Sequence, residues 1–85
     1  MSAVTRIVLF SQPGCLSCEL TRVFLEAHQL TFEERDVNAD AEARRELVET
    51  FDAQSTPLLV IVSDTGVEVI EGFDPERLDR ALSAA

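Results

Sequence analysis

The chain contains no lysine: all seven of its basic residues are arginines, set against 16 acidic ones, for a formal net charge of -9. No basic stripe can form from so few scattered cations, which argues against nucleic acid and anionic membrane surfaces as partners. Long apolar runs are also missing. Ile7 to Phe10 is too short to serve as an export segment or to span a bilayer, so the expected compartment is a reducing cytoplasm. There are only two cysteines, far below the density of a disulfide scaffold. A bridge between Cys15 and Cys18 would close a tiny loop and remove little unfolded-state entropy, so a structural staple explains the pair poorly. There is one histidine, His28, and no internal repeat, linker or low-complexity segment.

What is present fits one small domain over residues 1–85, with 46% hydrophobic residues placing the chain well above the disordered regime. Val4 to Phe10 is a nearly continuous apolar run, as expected of a strand buried on both faces. "SQPG" then signals a turn. Leu16, Leu20, Val23, Phe24 and Ala27 recur at helical spacing and predict an amphipathic helix from Cys15 to about His28, with those residues as its buried side. "TFEERDV" reads as an acidic edge strand. "NADAEARRELVETF" reads as a second helix capped by Asn38 or Asp40, with Ala43, Leu47, Val48 and Phe51 on its apolar face. "STPLLVIV" is a second strongly apolar strand, "SDTG" a hairpin turn, and Val67 to Ile70 the returning strand. Asp74 caps a last helix that starts at Pro75 and buries Leu78 and Leu82. The predicted order is βαβαββα: an α/β fold with a four-stranded mixed sheet flanked by three helices.

The cysteines fall where a strand has ended, a Pro-Gly turn has followed and a helix begins. Residues at i and i+3 share a helix face, within reach of a disulfide. Cys15, at the helix tip, meets the unsatisfied backbone N–H groups and the positive end of the dipole, which favours thiolate over thiol. Cys18, one turn in, is expected to be more buried and to remain a thiol. An exposed thiolate beside a protected thiol is what dithiol exchange requires. The competing readings are a zinc half-site, for which this chain offers only two thiols and a distant His28, and a pair of inert buried cysteines. Pro57 adds to the first reading. A proline entering an apolar strand cannot donate to the ladder, and its place near the end of the first strand puts it beside the cysteine loop.

Over nearly its whole length the chain resembles the small glutaredoxins and glutaredoxin-like redoxins of the thioredoxin fold, from "VLFSQPGCLSC" through "FEERDV", "RRELVE" and "STPLLVI" to "EGFDPERL". The resemblance implies that Cys15 is the nucleophile and Cys18 the resolving thiol. It further implies that Pro57 is cis and faces the disulfide, and that the Thr56 backbone pairs with bound peptide or glutathione. Gln12 stands near a position where the family commonly has lysine. Gly72, Phe73 and Asp74 represent the family's late glutathione-binding region, with Glu71 in place of its first glycine. Arg22 reads either as a solvated helix residue or as a cation that offsets Glu71. The ending "GFDPERL" is closer to the glutaredoxin-like hydrogen donors of ribonucleotide reductase, which thioredoxin reductase reduces.

The reading that results is a thiol-disulfide oxidoreductase acting on protein or glutathione mixed disulfides, a monomer with no permanently bound cofactor. Its electron source is glutathione or thioredoxin reductase. The alternatives are the ribonucleotide-reductase donor, a module of the same fold that binds a metal or iron–sulfur cluster, and an adaptor whose cysteines are incidental.

Overall fold

A computed structural model describes residues 4–83. The first strand, β1 (Val4–Ser11), is followed by helix α1 (Leu16–Ala27) and strand β2 (Glu33–Asp36). Helix α2 (Ala41–Arg45) runs on into a π-helical segment, Glu46–Thr50. The chain then forms strand β3 (Leu58–Ser63), strand β4 (Gly66–Glu71) and helix α3 (Pro75–Ser83). The order is the βαβαββα predicted, and the sheet is mixed, with strands arranged β2-β1-β3-β4.

β1 pairs in parallel with β2, Val8 opposite Glu33 and Ser11 opposite Asp36. β3 pairs antiparallel with β1, Phe10 opposite Leu58, and β4 antiparallel with β3. The two strands read as apolar runs are therefore the two central ones, and the acidic β2 lies at an edge.

Alternation along the central strands divides the core in two. Ile7, Leu9, Leu59 and Ile61 join Ile70, Leu25 of α1 and Leu78 of α3 on one face. Val8, Phe10, Leu58 and Val60 join Val37, Ala53, Ala43 of α2 and Leu47 of the π segment on the other.

α1 is rotated relative to the sequence-based expectation. The side chains it buries are Cys18, Thr21 and Leu25, whereas Leu16, Leu20 and Val23 are exposed. The pattern misled because Thr21 counts as polar. Inside the helix its hydroxyl donates to the Ser17 carbonyl at 2.9 Å, so it enters the core with its hydrogen bond made.

α2 is capped by Asp40, whose carboxylate accepts from the N–H groups of Glu42 and Ala43, both at 3.1 Å. Asn38 takes no part in that cap; its N–H donates to Asp36 Oδ1 at 2.8 Å. Val48 is exposed, because at about 100° per residue it falls well away from the face that holds Ala43 and Leu47. α3 begins as expected, with Asp74 Oδ1 accepting from Arg77 N–H at 3.2 Å and Leu78 buried.

Candidate functional site

The site lies where β1 leaves the sheet and β3 enters it. Antiparallel pairing of Phe10 with Leu58 places the residues after β1 beside those before β3, although they are far apart in sequence. After Ser11 the chain turns through Pro13 and Gly14. Gly14 has φ +76, a left-handed conformation that costs glycine little. The turn delivers Cys15 to the N-cap of α1 in extended backbone.

Cys15 and Cys18 are joined by a disulfide, with their Cα atoms 5.2 Å apart. The Cys18 N–H donates to Cys15 Sγ at 3.1 Å, so the sulfur occupies the place of a capping side-chain oxygen. Cys15 is partly exposed and Cys18 is fully buried. Cys15 thus stands at the surface end of the pair, its sulfur at a helix N-terminus, and Cys18 lies in the interior.

The facing wall is Thr56-Pro57. Their peptide bond is cis. The Thr56 hydroxyl lies 3.7 Å from Cys15 Sγ and donates to it, and Pro57 is buried. The Pro57 carbonyl accepts from Gly72 N–H at 2.9 Å, which fastens the turn after β4 to the entry of β3. Gly72 is therefore joined to the proline through the backbone. Phe73 packs with the α1–α3 core, and Asp74 commits a carboxylate oxygen to capping α3. Gln12 is exposed and, with Thr56, Ser55, Asn38, Arg44, Leu47 and Val48, lines an open cavity of about 230 Å³ that neither cysteine lines. Glu71 accepts from the Ser55 hydroxyl at 3.3 Å, so its negative charge is held next to Thr56.

Arg22 does not offset Glu71. Its guanidinium donates to both carboxylate oxygens of Glu34, with Nε at 2.9 Å from Oε1. Glu34 also accepts from Ser11 Oγ at 2.8 Å. Three elements, the end of β1, β2 and α1, are tied together one turn behind the cysteines. The hydrogen bonds from Arg22, partly opposed by desolvation and reinforced by Ser11, hold the Glu34 carboxyl below the usual glutamate range. Sequence reasoning missed this bridge. Its partners are 11, 12 and 23 positions apart by pairs, a separation that no local pattern registers.

A second network lies on the other face. The Arg35 guanidinium pairs with Glu46 at 2.9 Å and Asp40 at 3.6 Å, and it sits 5.5 Å from the centroid of the Phe10 ring. His28 is the C-cap of α1, its Nδ1 2.9 Å from the Phe24 carbonyl. Among the described residues no group of three or more His, Cys, Asp and Glu side chains is placed to hold a metal ion, and no helix is long and apolar enough to cross a membrane.

Comparison with known proteins agrees with this geometry. The gene 56 protein of Mycobacterium phage L5 is 32% identical over 76 residues, spanning 89% of this chain and 71% of the phage protein. The SPbeta prophage-derived thioredoxin-like protein YosR of Bacillus subtilis strain 168 is 32% identical over 79 residues, spanning 91% of this chain and 94% of YosR. Among solved structures, the thioredoxin-like protein BC3987 superposes with a TM-score of 0.79 at 39% identity, covering 88% of this chain and 97% of that one. The glutaredoxin-like protein NrdH-redoxin from Escherichia coli superposes with a TM-score of 0.74 at 25% identity, covering 89% and 93%. The fold is thioredoxin-like. The glutaredoxin family model matches residues 7–65, from the first central strand through the cysteine pair and Thr56-Pro57 to the hairpin, and so the chain belongs to the glutaredoxin family, as a redoxin with a Cys-x-x-Cys disulfide.

Proposed function

We propose that the protein reduces disulfides of other proteins, and glutathione mixed disulfides, through the Cys15/Cys18 dithiol, with Cys15 as the attacking thiolate. The observation that carries this reading is the asymmetry of the pair. Cys15 is partly exposed and its Sγ accepts a backbone N–H at a helix N-terminus, whereas Cys18 is fully buried. In the reduced protein the same N–H and the positive end of α1 stabilise negative charge on Cys15.

The Cys15 thiolate attacks one sulfur of the partner disulfide and forms a mixed disulfide, while the other partner sulfur leaves as a thiolate. Cys18 loses its proton and attacks Cys15 Sγ. The internal disulfide closes and the second partner thiolate departs. The partner gains two electrons and two protons; the redoxin loses them and is reset by an external reductant. Thr56 and Pro57 form the wall against which the partner backbone lies, Thr56 also donating to the reacting sulfur, and Gly72 is joined to that wall through the backbone. Gln12, Phe73 and Asp74 border the same end of the molecule and complete the proposed substrate contact.

For the electron source, the Glu71 carboxylate beside Thr56 and the absence of a lysine at Gln12 make a poor seat for the carboxylates of glutathione. These features favour thioredoxin reductase as the reductant, and the likeness to a glutaredoxin-like redoxin described as having a thioredoxin-like activity profile supports that branch. An iron–sulfur cluster would have to draw ligands from outside this chain.

Two measurements test the proposal. Cys15→Ser is expected to lower the rate of disulfide reduction at least about 10³-fold while leaving the fold intact, as removal of a covalent nucleophile does; retained turnover would assign the attack to another group. With the unaltered protein, NADPH consumption is followed with thioredoxin reductase and, in parallel, with glutathione and glutathione reductase. Faster turnover in the first assay is expected, and a preference for glutathione would refute the choice of reductant.

A further inference from the structure

The outer face of α1 carries an apolar stripe that nothing among the described residues covers. Leu16, Leu20 and Val23 are 68%, 42% and 58% exposed, and Ala27 beyond them is exposed as well. At about 100° per residue these four side chains fall within about 60° of one another. They lie opposite Cys18, Thr21 and Leu25, the face buried against the sheet. Scattered exposed leucines need no explanation, but this group is contiguous and starts at the residue after Cys15.

We infer that the stripe is the docking surface for the oxidised protein partner whose disulfide Cys15 attacks, and that this partner presents an apolar segment bordered by basic side chains. The inference rests on the exchange function proposed above and specifies the partner. Distance supports it. From Leu16 to Val23 the stripe extends about 10 Å along the helix, whereas one side of an ordinary protein interface covers about 800 Å², a patch of roughly 16 Å radius. A partner centred on Cys15 Sγ would cover the stripe without a change of shape. Charge decides the chemistry of the border. Exposed Glu19 and Glu26, seven residues apart, flank the stripe on one side, and Arg22 between them is committed to Glu34. The chain as a whole carries -9. A second copy would bring acid against acid over the stripe and cover the sulfur; a basic-rimmed partner meets complementary potential.

The test uses the full chain, reduced and freed of excess reductant, with mixed disulfides of 5-thio-2-nitrobenzoate (TNB). One is made with the peptide Cys-Gly-Leu-Leu-Arg-Arg, whose leucines reach about 10–13 Å from its sulfur when extended. The others are made with Cys-Gly-Ser-Ser-Glu-Glu and with free cysteine. Cys15 thiolate attacks the cysteine sulfur and TNB leaves with the bond's electron pair. Deprotonated Cys18 then displaces the peptide thiolate, so the chain loses two electrons, TNB is released as its thiolate and the peptide thiolate takes up the proton that Cys18 gave up.

The expected result is about a tenfold faster second-order reaction with the apolar–basic peptide than with the polar–acidic one. The Leu20→Asp/Val23→Asp double variant should lose that preference and keep its rate with cysteine–TNB within about twofold. The inference is overturned by equal rates with the two peptides, by a variant that slows all three substrates alike, or by sedimentation showing a dimer that the double substitution dissociates. Failure of the unaltered protein to attack cysteine–TNB would instead refute the exchange function itself, and the docking claim with it.

Discussion

The two faces of the sheet are built to different standards. On the α1–α3 face, seven branched aliphatic side chains, Ile7, Leu9, Leu25, Leu59, Ile61, Ile70 and Leu78, are all nearly or fully buried beneath two helices. On the α2 face the core includes two alanines and is covered by a short helix that loosens into a π turn. An open cavity of about 200 Å³ remains there, lined by Val8, Phe10, Val60, Val62 and Val67 with Arg6, Arg35, Glu46 and Phe51. The dense face is the one that holds the helix bearing both cysteines. Close packing leaves a reactive sulfur little freedom to drift. Among the described residues the looser face carries no sulfur, and it closes with charges: Arg35 spans Asp40, Glu46 and the Phe10 ring.

The sharpest way to break this contrast is the same truncation on each side. Leu25→Ala is expected to cost about 3–4 kcal/mol and Leu47→Ala about 2 kcal/mol, since Leu47 lines the open cavity of about 230 Å³ and its site can collapse or hydrate more easily. Urea unfolding of the two variants checks this, and equal losses would mean that the faces are packed alike. Next in size, Asp40→Ala removes the carboxylate that caps α2 and pairs with Arg35, and should cost about 1 kcal/mol. Its disulfide-exchange rate should stay close to that of the unaltered chain, because the cap belongs to the face without the cysteines.

The smallest expected effect concerns Glu34. Its carboxyl is held below the ordinary value by Arg22 and Ser11, so between the folded and unfolded pKa values the unfolded chain binds more protons. The stabilisation is complete above the unfolded value of about 4.3 and is lost as pH falls through the folded one. Because the pair is about one-third exposed, Glu34→Gln should cost only about 0.5–1 kcal/mol at pH 7. That difference should shrink toward zero as the pH of parallel urea titrations falls through the folded value. A penalty that persists in acid would assign the effect to packing of the Glu34 stem.

The element order was legible because the two central strands are written as apolar runs and the breaks between elements as Pro, Gly and Asp. The cysteine pair and Thr56-Pro57 were legible because each combines a rare residue with a definite place in that order. The rotation of α1 was not. Hydropathy weighs Leu16, Leu20 and Val23 above Cys18 and Thr21, whereas the fold turns inward the side that carries the second cysteine and a threonine already satisfied by its own helix. The π turn at Glu46–Thr50 escaped for a related reason, since one residue too many in a helix leaves no mark on composition. The Ser11–Glu34–Arg22 bridge depends on strand pairing that exists only in three dimensions.

The separation of 41 positions between Cys15 and Thr56 has a kinetic consequence. The dithiol is synthesised early and finds its turn and helix among near neighbours, but the opposite wall must return across a long closed loop. A nascent or partly folded chain can therefore form the turn and helix around Cys15 before Thr56 and Pro57 come to face it. The contact between Thr56 and Cys15 depends on the pairing of β1 with β3, and local opening of that seam would part the two walls of the site.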